Sequence, residues 1–131
     1  MVLSNDPLAD ALNVIRTHEK AGKRDCLIRP ASRQVREVLL LFQKNSYIGE
    51  FEFIDDGKSG AFKVQLLGNI NDCMTIKPRF SVRIAEWNKW EQRYVPGKDF
   101  GMLVVSTPFG LMTNSEAKAK GTGGKLIAYV Y

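Results

Sequence analysis

The sequence has few of the residues on which enzymes and metal sites usually depend. It contains one histidine, His18, and two cysteines, Cys26 and Cys73, among 131 residues. A zinc site needs at least three good ligands, so we expect no metal and no cofactor. The two cysteines lie far apart in the sequence, which favours free thiols in a reducing cytosol over a disulfide-stabilised fold.

Long apolar runs are missing as well. No run approaches the ~20 residues that a transmembrane helix needs. Residues 1–10 lack the basic and then apolar layout of a signal peptide. We therefore expect a cytoplasmic protein with no membrane partner. Its size predicts one domain or two small lobes that bury about two-thirds of the surface of the unfolded chain.

Recognisable catalytic motifs are missing as well. His18 lies late in a predicted helix beside two charged residues, where a solvated histidine is the ordinary interpretation. No Gly-x-Ser-x-Gly elbow surrounds Ser106. The segment GTGGK at 121–125 fails as a Walker loop, because its spacing is wrong and because it leaves a helix and enters a strand. These features disfavour an enzyme, although a small RNA-processing enzyme stays an alternative.

Basic residues are in excess and unevenly distributed. The 19 Lys and Arg against 14 Asp and Glu give a net charge of +5. Residues 16–36 carry seven basic side chains, residues 37–56 carry one, and residues 57–131 carry 11. This layout is typical of a protein that binds an acidic polymer, and ordinary solubilising charge explains it equally well. The acidic stretch 50–56 leaves a protein-interaction module as a further alternative.

The first half of the chain predicts an α/β lobe. The spacing of apolar residues predicts one helix over 6–21 and a second helix that begins at Ser32. The predicted strands occupy 25–29, 47–54 and 61–67. The last two strands flank a turn, 55–60, whose Asp and Gly residues tolerate unusual backbone angles. The predicted order is α-β-α-β-β over residues 1–68.

The second half, residues 69–131, predicts a mostly β lobe with one short helix. Strict alternation predicts a strand over 79–84, with Phe80, Val82 and Ile84 inward. We expect 85–99 to be irregular and 106–113 to form a turn. The remaining predicted elements are strands at 102–107 and 125–131 and a helix at 114–120, which opens with a capping box at Thr113 and Glu116 and ends at Gly121. The predicted class is α+β, with two small lobes packed together.

Two polar turns of the second half are candidates for contact with a nucleic acid. The segment 106–113 supplies small hydroxyls, which can bond phosphates, sugars and base edges. The glycines of 121–125 allow a ligand to approach the backbone closely. Each segment also has a purely structural explanation. Residues 106–113 fit a turn that ends a strand, and much of 121–125 fits a helix C-cap. Phe109 and Met112 fit core or turn packing better than base stacking, whereas Trp87, Trp90 and Tyr94 fit a packing stripe and base stacking equally well.

Several long segments together resemble one known family. They are DPLADALNVIR (6–16), RPASR (29–33), NSYIGEFEFIDDG (45–57), STPFGLMTNSEA (106–117) and GTGGKLIAYVY (121–131). In this order they resemble the universal protein eight of the small ribosomal subunit. The segment 45–57 resembles the archaeal and eukaryotic branch in particular. Many relatives carry Ser-Lys where this chain has Pro108 and Phe109.

The resemblance implies a structural protein that binds a helical segment of the central domain of small-subunit ribosomal RNA early in assembly. By matching positions, the binding centre would comprise Ser106, Thr107, Gly110 and Thr113, with Gly121, Gly123, Gly124 and Lys125 alongside, and the first lobe would contribute Ser32 and Arg33. The implied partners are this RNA and neighbouring ribosomal proteins. Some relatives also bind their own operon's messenger RNA as repressors. Because the sequence has no heptad repeat, we expect the free protein to be a monomer.

Overall fold

A computed structural model describes residues 6–55, 57–58, 60–96 and 100–131. The fold is α+β, as predicted. The chain divides into two compact units, of which the first ends at Asn71 and the second runs from Asp72 to Tyr131. The sequence suggested a boundary at residue 68 instead. Among the described helices, none combines the length and the apolar character that crossing a membrane requires.

The first unit has the predicted order of elements. These are α1 (Pro7–Lys20), β1 (Asp25–Ile28), α2 (Arg33–Lys44), β2 (Ile48–Ile54) and β3 (Ala61–Leu66). The three strands form an antiparallel sheet in the order β1-β3-β2. The predicted turn at 55–60 includes Asp56 and Ser59, which lie outside the described residues.

Side-chain caps explain where the two helices of this unit begin. The Asp6 carboxylate accepts hydrogen bonds from the backbone N–H groups of Leu8 and Ala9, both at 3.1 Å. The Ser32 hydroxyl accepts one from the N–H of Val35 at 3.2 Å. Each bond satisfies an N–H group that the first turn of a helix leaves unpaired. The predicted helix starts are therefore confirmed.

The second unit is built on a larger antiparallel sheet. Its elements are β4 (Cys73–Thr75), β5 (Ser81–Val82), α3 (Trp87–Tyr94), β6 (Met102–Thr107), β7 (Gly110–Thr113), α4 (Asn114–Lys120) and β8 (Gly124–Val130). The strand order is β4-β8-β6-β7, and β5 also pairs with β8. One face of the sheet packs against α3 and α4 through a buried cluster that includes Trp87, Trp90, Leu103, Val105, Met112, Ala117 and Leu126.

The strand predicted over 79–84 is wrong in its extent. Only β5 forms there, and a short 3-10 helix (Ile84–Glu86) follows it. The Glu86 carboxylate accepts a hydrogen bond from the N–H of Arg83 at 2.9 Å, which begins a helical turn and ends the alternation. The side chain of Ile84 is consequently 59% exposed instead of buried.

The irregular segment predicted over 85–99 is also wrong for its described part. Trp87 and Trp90 are 3% and 7% exposed and lie at helical spacing, so their burial holds α3 on the core. The second unit consequently has two α-helices instead of one. The rest of that prediction includes Gly97, which lies outside the described residues.

The segment 106–113 is a hairpin instead of an extended turn. The strands β6 and β7 pair as far as Thr107 and Gly110, so only Pro108 and Phe109 form the tip. Phe109 is 67% exposed there, and the prediction that it packs in the core or the turn is wrong. The capped helix that follows is confirmed as α4, and Gly121 ends it at φ 68°.

Candidate nucleic-acid interface

Strand register aligns a row of polar side chains across the second sheet. Ser81 of β5 lies opposite Lys125 of β8, and Lys125 lies opposite Ser106 of β6. Leu111 of β7 continues the row beside Ser106. Residues that are directly opposite on neighbouring strands point to the same side of a sheet. We call these four residues the outward row.

The outward row is accessible and carries unused hydrogen-bond donors. Ser81 and Lys125 are exposed, and Ser106 is half-buried. Within the described ranges, no carboxylate pairs with the Lys125 ammonium and no group bonds the Ser106 hydroxyl. Arg79 and Arg83 flank Ser81, and both are exposed. The row and its two flanking arginines thus combine small hydroxyls with three cations, a donor set suited to an anionic polymer with sugar hydroxyls.

Thr107 lies on the opposite side of the sheet from Ser106, because successive residues of a strand alternate between its two faces. Its side chain is nearly buried, at 9% exposure. The hydroxyl donates to the carbonyl oxygen of Gly110 at 2.9 Å and accepts from the N–H of Phe109 at 3.1 Å. This hydroxyl therefore closes the hairpin turn.

Two other hydroxyls of the predicted site organise helix starts. Thr113 is buried, and its hydroxyl accepts from the N–H of Glu116 at 3.1 Å. Ser32 caps α2 in the first unit in the same way. Beside it, Arg33 is exposed, and its Nε lies 3.4 Å from an oxygen of Glu37. The structure brings Lys125 and Ser106 together, while Ser32 and Arg33 belong to the other unit.

The predicted glycines allow the strands to approach one another. A Cβ on Gly124 would lie 2.6 Å from the carbonyl oxygen of Ser106, and a Cβ on Gly123 would collide with the carbonyl oxygen of Val82. These two glycines therefore permit β8 to pair closely with β6 and β5. Gly110 adopts φ 111° at the hairpin, with open space around the position of its missing Cβ. A direct role for the glycines in binding stays a prediction.

The structure adds Arg79, Ser81 and Arg83 to the sequence-predicted site. Their alternation with apolar residues already indicated that they point outward. The missing information was that β5 pairs with β8 beside Lys125, a contact between residues 44 positions apart in the chain. The periodicity of a sequence shows on which face of a strand a side chain lies. It does not show which other strand pairs with that strand.

The hairpin tip carries an exposed ring with a cation beside it. The Lys120 ammonium lies 5.4 Å from the centroid of the Phe109 ring. Lys120 ends α4, so the helix brings a positive charge to the tip.

An open polar sheet face with cations and small hydroxyls, on an α+β scaffold, is compatible with the class of nucleic-acid-binding proteins. No group of three metal-ligating side chains occurs in the part of the chain that the structure describes. The family model described as Ribosomal protein S8 matches residues 6–131, and the chain belongs to that family.

Membership establishes the general role of the protein. The family is a structural ribosomal protein family and not an enzyme family. The protein is accordingly a ribosome-associated constituent of the small subunit that binds ribosomal RNA and neighbouring ribosomal proteins.

Proposed function

We propose that the protein binds a helical segment of the central domain of small-subunit ribosomal RNA through the outward row, early in assembly of the subunit. The observation that carries this proposal is the alignment of Ser81, Lys125 and Ser106 on one accessible side of the sheet. Family membership supports the RNA as the partner.

The chemistry of the row suits an RNA helix. The minor groove of A-form RNA is wide and shallow, and it displays 2′-hydroxyls and base edges beside the phosphates. In the proposed complex Lys125, Arg79 and Arg83 contact phosphates, while Ser106 and Ser81 bond sugar hydroxyls or base edges. Pairing with a neighbouring strand on each side fixes the backbone of Ser106. Its hydroxyl therefore binds RNA with little loss of conformational entropy.

The hairpin tip extends this contact. The open space around Gly110 allows an RNA backbone to approach the tip closely. Lys120 supplies there a positive charge next to Phe109. We assign to Arg33 a separate phosphate contact from the first unit, since its side chain is 91% exposed at the start of α2.

The proposal is tested by mapping what the full chain protects on deproteinised small-subunit RNA. Hydroxyl-radical cleavage with and without protein should reveal protection of one helical segment in the central domain. Large-subunit RNA serves as the control and should show no localised protection. Protection confined to another domain would overturn the assigned segment, and failure to bind small-subunit RNA would overturn the function.

A further inference from the structure

The helix α3 carries two cations on its outer side. Lys89 and Arg93 are exposed and are separated by four positions, whereas Trp87 and Trp90 face the core. Like charges at this spacing lie on one helix face and destabilise the helix by a few tenths of a kcal/mol. Arg93 lies in the last turn of α3, where the helix dipole favours a cation, whereas Lys89 lies in the first turn and gains nothing from the dipole.

The carboxylates near this surface are occupied elsewhere. The Glu86 side chain bonds the N–H of Arg83. One oxygen of Glu91 lies 2.6 Å from the Lys118 ammonium, and the other accepts from the side-chain amide of Asn114. No carboxylate in the described ranges makes an ion pair with Lys89 or Arg93. The surface consequently keeps a net positive charge.

Aromatic rings hold the two cations in position. The guanidinium carbon of Arg93 lies 5.4 Å from the ring centroids of Phe80 and Trp90 and 5.6 Å from that of Tyr94. The Lys89 ammonium lies 5.4 Å from the Trp90 centroid. A guanidinium stacked on rings keeps its N–H groups available at its edge, and a fixed side chain loses little entropy when it binds. We call Lys89, Arg93 and these three rings the α3 strip.

The α3 strip lies on the other side of the sheet from the outward row. Trp90 packs in the cluster that contains Val105 and Leu126. Those two residues alternate along β6 and β8 with Ser106 and Lys125. The second unit thus presents fixed cations on both sides of one sheet.

We propose that the α3 strip binds the phosphate backbone of a second RNA segment, so that the second unit bridges two segments of ribosomal RNA. This inference rests on the proposed function of the outward row. Charge complementarity favours an RNA backbone, because the strip offers two preorganised cations that have no acidic partner among the residues that the structure describes. Two contacts made by one rigid sheet bring the RNA segments together and raise the overall affinity.

A tethered cleavage probe on α3 tests this proposal directly. Gln92 is exposed between the two cations, and Gln92→Cys provides an attachment point for an iron chelate. The native thiols, Cys26 and Cys73, are buried. We expect the probe on the full chain, bound to deproteinised small-subunit RNA, to cleave a segment outside the one that the outward row protects. Cleavage should disappear when Lys89→Gln and Arg93→Gln are added at saturating protein.

Binding measured over a salt series gives a second readout. Lys89→Gln with Arg93→Gln should reduce the slope of log affinity against log salt by about two units. The swap Lys89→Arg with Arg93→Lys keeps both charges and should restore the slope. The pair Lys23→Gln with Lys63→Gln is the matched control, since both lysines are exposed in the first unit. Melting temperatures establish that each variant is folded.

The outcomes separate this inference from the function on which it rests. If wild-type protein binds the RNA with a slope that the α3 substitutions leave unchanged, the strip does not contact RNA and the inference is overturned. If wild-type protein does not bind the RNA at all, the proposed function fails as well.

Discussion

Ser106 and Thr107 follow one another in β6 and point to opposite sides of the sheet. The Ser106 hydroxyl faces the outward row, whereas the Thr107 hydroxyl makes two hydrogen bonds within the hairpin. We therefore propose that RNA binding belongs to the Ser106 hydroxyl and closure of the turn to the Thr107 hydroxyl. The two roles can be distinguished by substitution.

Replacing Thr107 with valine should destabilise the protein by about 1–3 kcal/mol, because it removes both hydrogen bonds of a nearly buried hydroxyl. Ser106→Ala should leave stability unchanged and lower affinity for the central-domain RNA segment by about fivefold to a hundredfold, which corresponds to ~1–3 kcal/mol for an unpaired group. Denaturant unfolding and filter binding measure the two quantities. Equal loss of stability in both variants would refute the division of roles.

Ionisation of Cys26 should lower the stability of the protein at alkaline pH. Burial raises the pKa of its thiol from 9.0 to about 11, and the charges of Asp25 and Glu19 add to the effect. The folded state therefore holds the thiol proton more tightly than the unfolded state. This contribution to stability is complete below about pH 9 and is lost as the pH rises towards 11.

The free energy of unfolding should accordingly fall more steeply between about pH 9 and pH 11 in the wild type than in Cys26→Ala. Both proteins share every other titrating group, so the difference between their pH profiles isolates the thiol. Denaturant unfolding at a series of pH values provides the measurement. Parallel profiles would mean that Cys26 ionises equally in both states.

At the scale of elements, Asn114 connects the helices α3 and α4 to the strand β6 of the second sheet. Its side-chain oxygen accepts from the N–H of Leu103 in β6 at 3.1 Å. Its side-chain nitrogen donates to Glu91 of α3, and Glu91 also holds Lys118 of α4. Asn114 is nearly buried, so water cannot replace these bonds readily.

Asn114→Ala should therefore cost about 1–3 kcal/mol, because it leaves the N–H of Leu103 unpaired in the interior. Asn88→Ala is the matched control, since Asn88 is exposed on α3, and it should change stability little. Chemical denaturation of both variants makes the comparison. A loss of similar size in the two variants would contradict the connecting role of Asn114.

Elements defined by local signals could be predicted from the sequence, and elements defined by distant contacts could not. Asp6, Ser32 and Thr113 each cap a helix that the sequence predicted, because a cap bonds groups only two or three residues away. The helix α3 was missed because it has no side-chain cap at its start. Its stability comes from packing Trp87 and Trp90 on strands far along the chain.

Part of the candidate site could likewise be predicted from the sequence, and part of it could not. The sequence singled out Ser106, Lys125 and the glycines beside them as candidates, both from their residue types and by the resemblance. It did not separate the hydroxyl of Thr107, which closes the turn, from that of Ser106. It also missed Arg79 and Arg83, because the pairing of β5 with β8 cannot be read from periodicity.

For the molecule as a whole, we expect the free protein to be a monomer. The described helices pack their apolar sides within their own units and show no heptad seam for self-association. Sedimentation velocity should give the same coefficient throughout the micromolar range, and a rise with concentration would show self-association.

The most direct test of the outward row is the salt dependence of RNA binding when one of its charges is removed. Affinity of the full chain for the central-domain segment is measured over a salt series for the wild type, Lys125→Gln and Lys63→Gln. Both substitutions remove one exposed positive charge, and only Lys125 lies in the row. Lys125→Gln should reduce the salt slope by about one unit while Lys63→Gln leaves it unchanged. Equal slopes for the wild type and Lys125→Gln would contradict the assignment of the row as the RNA contact.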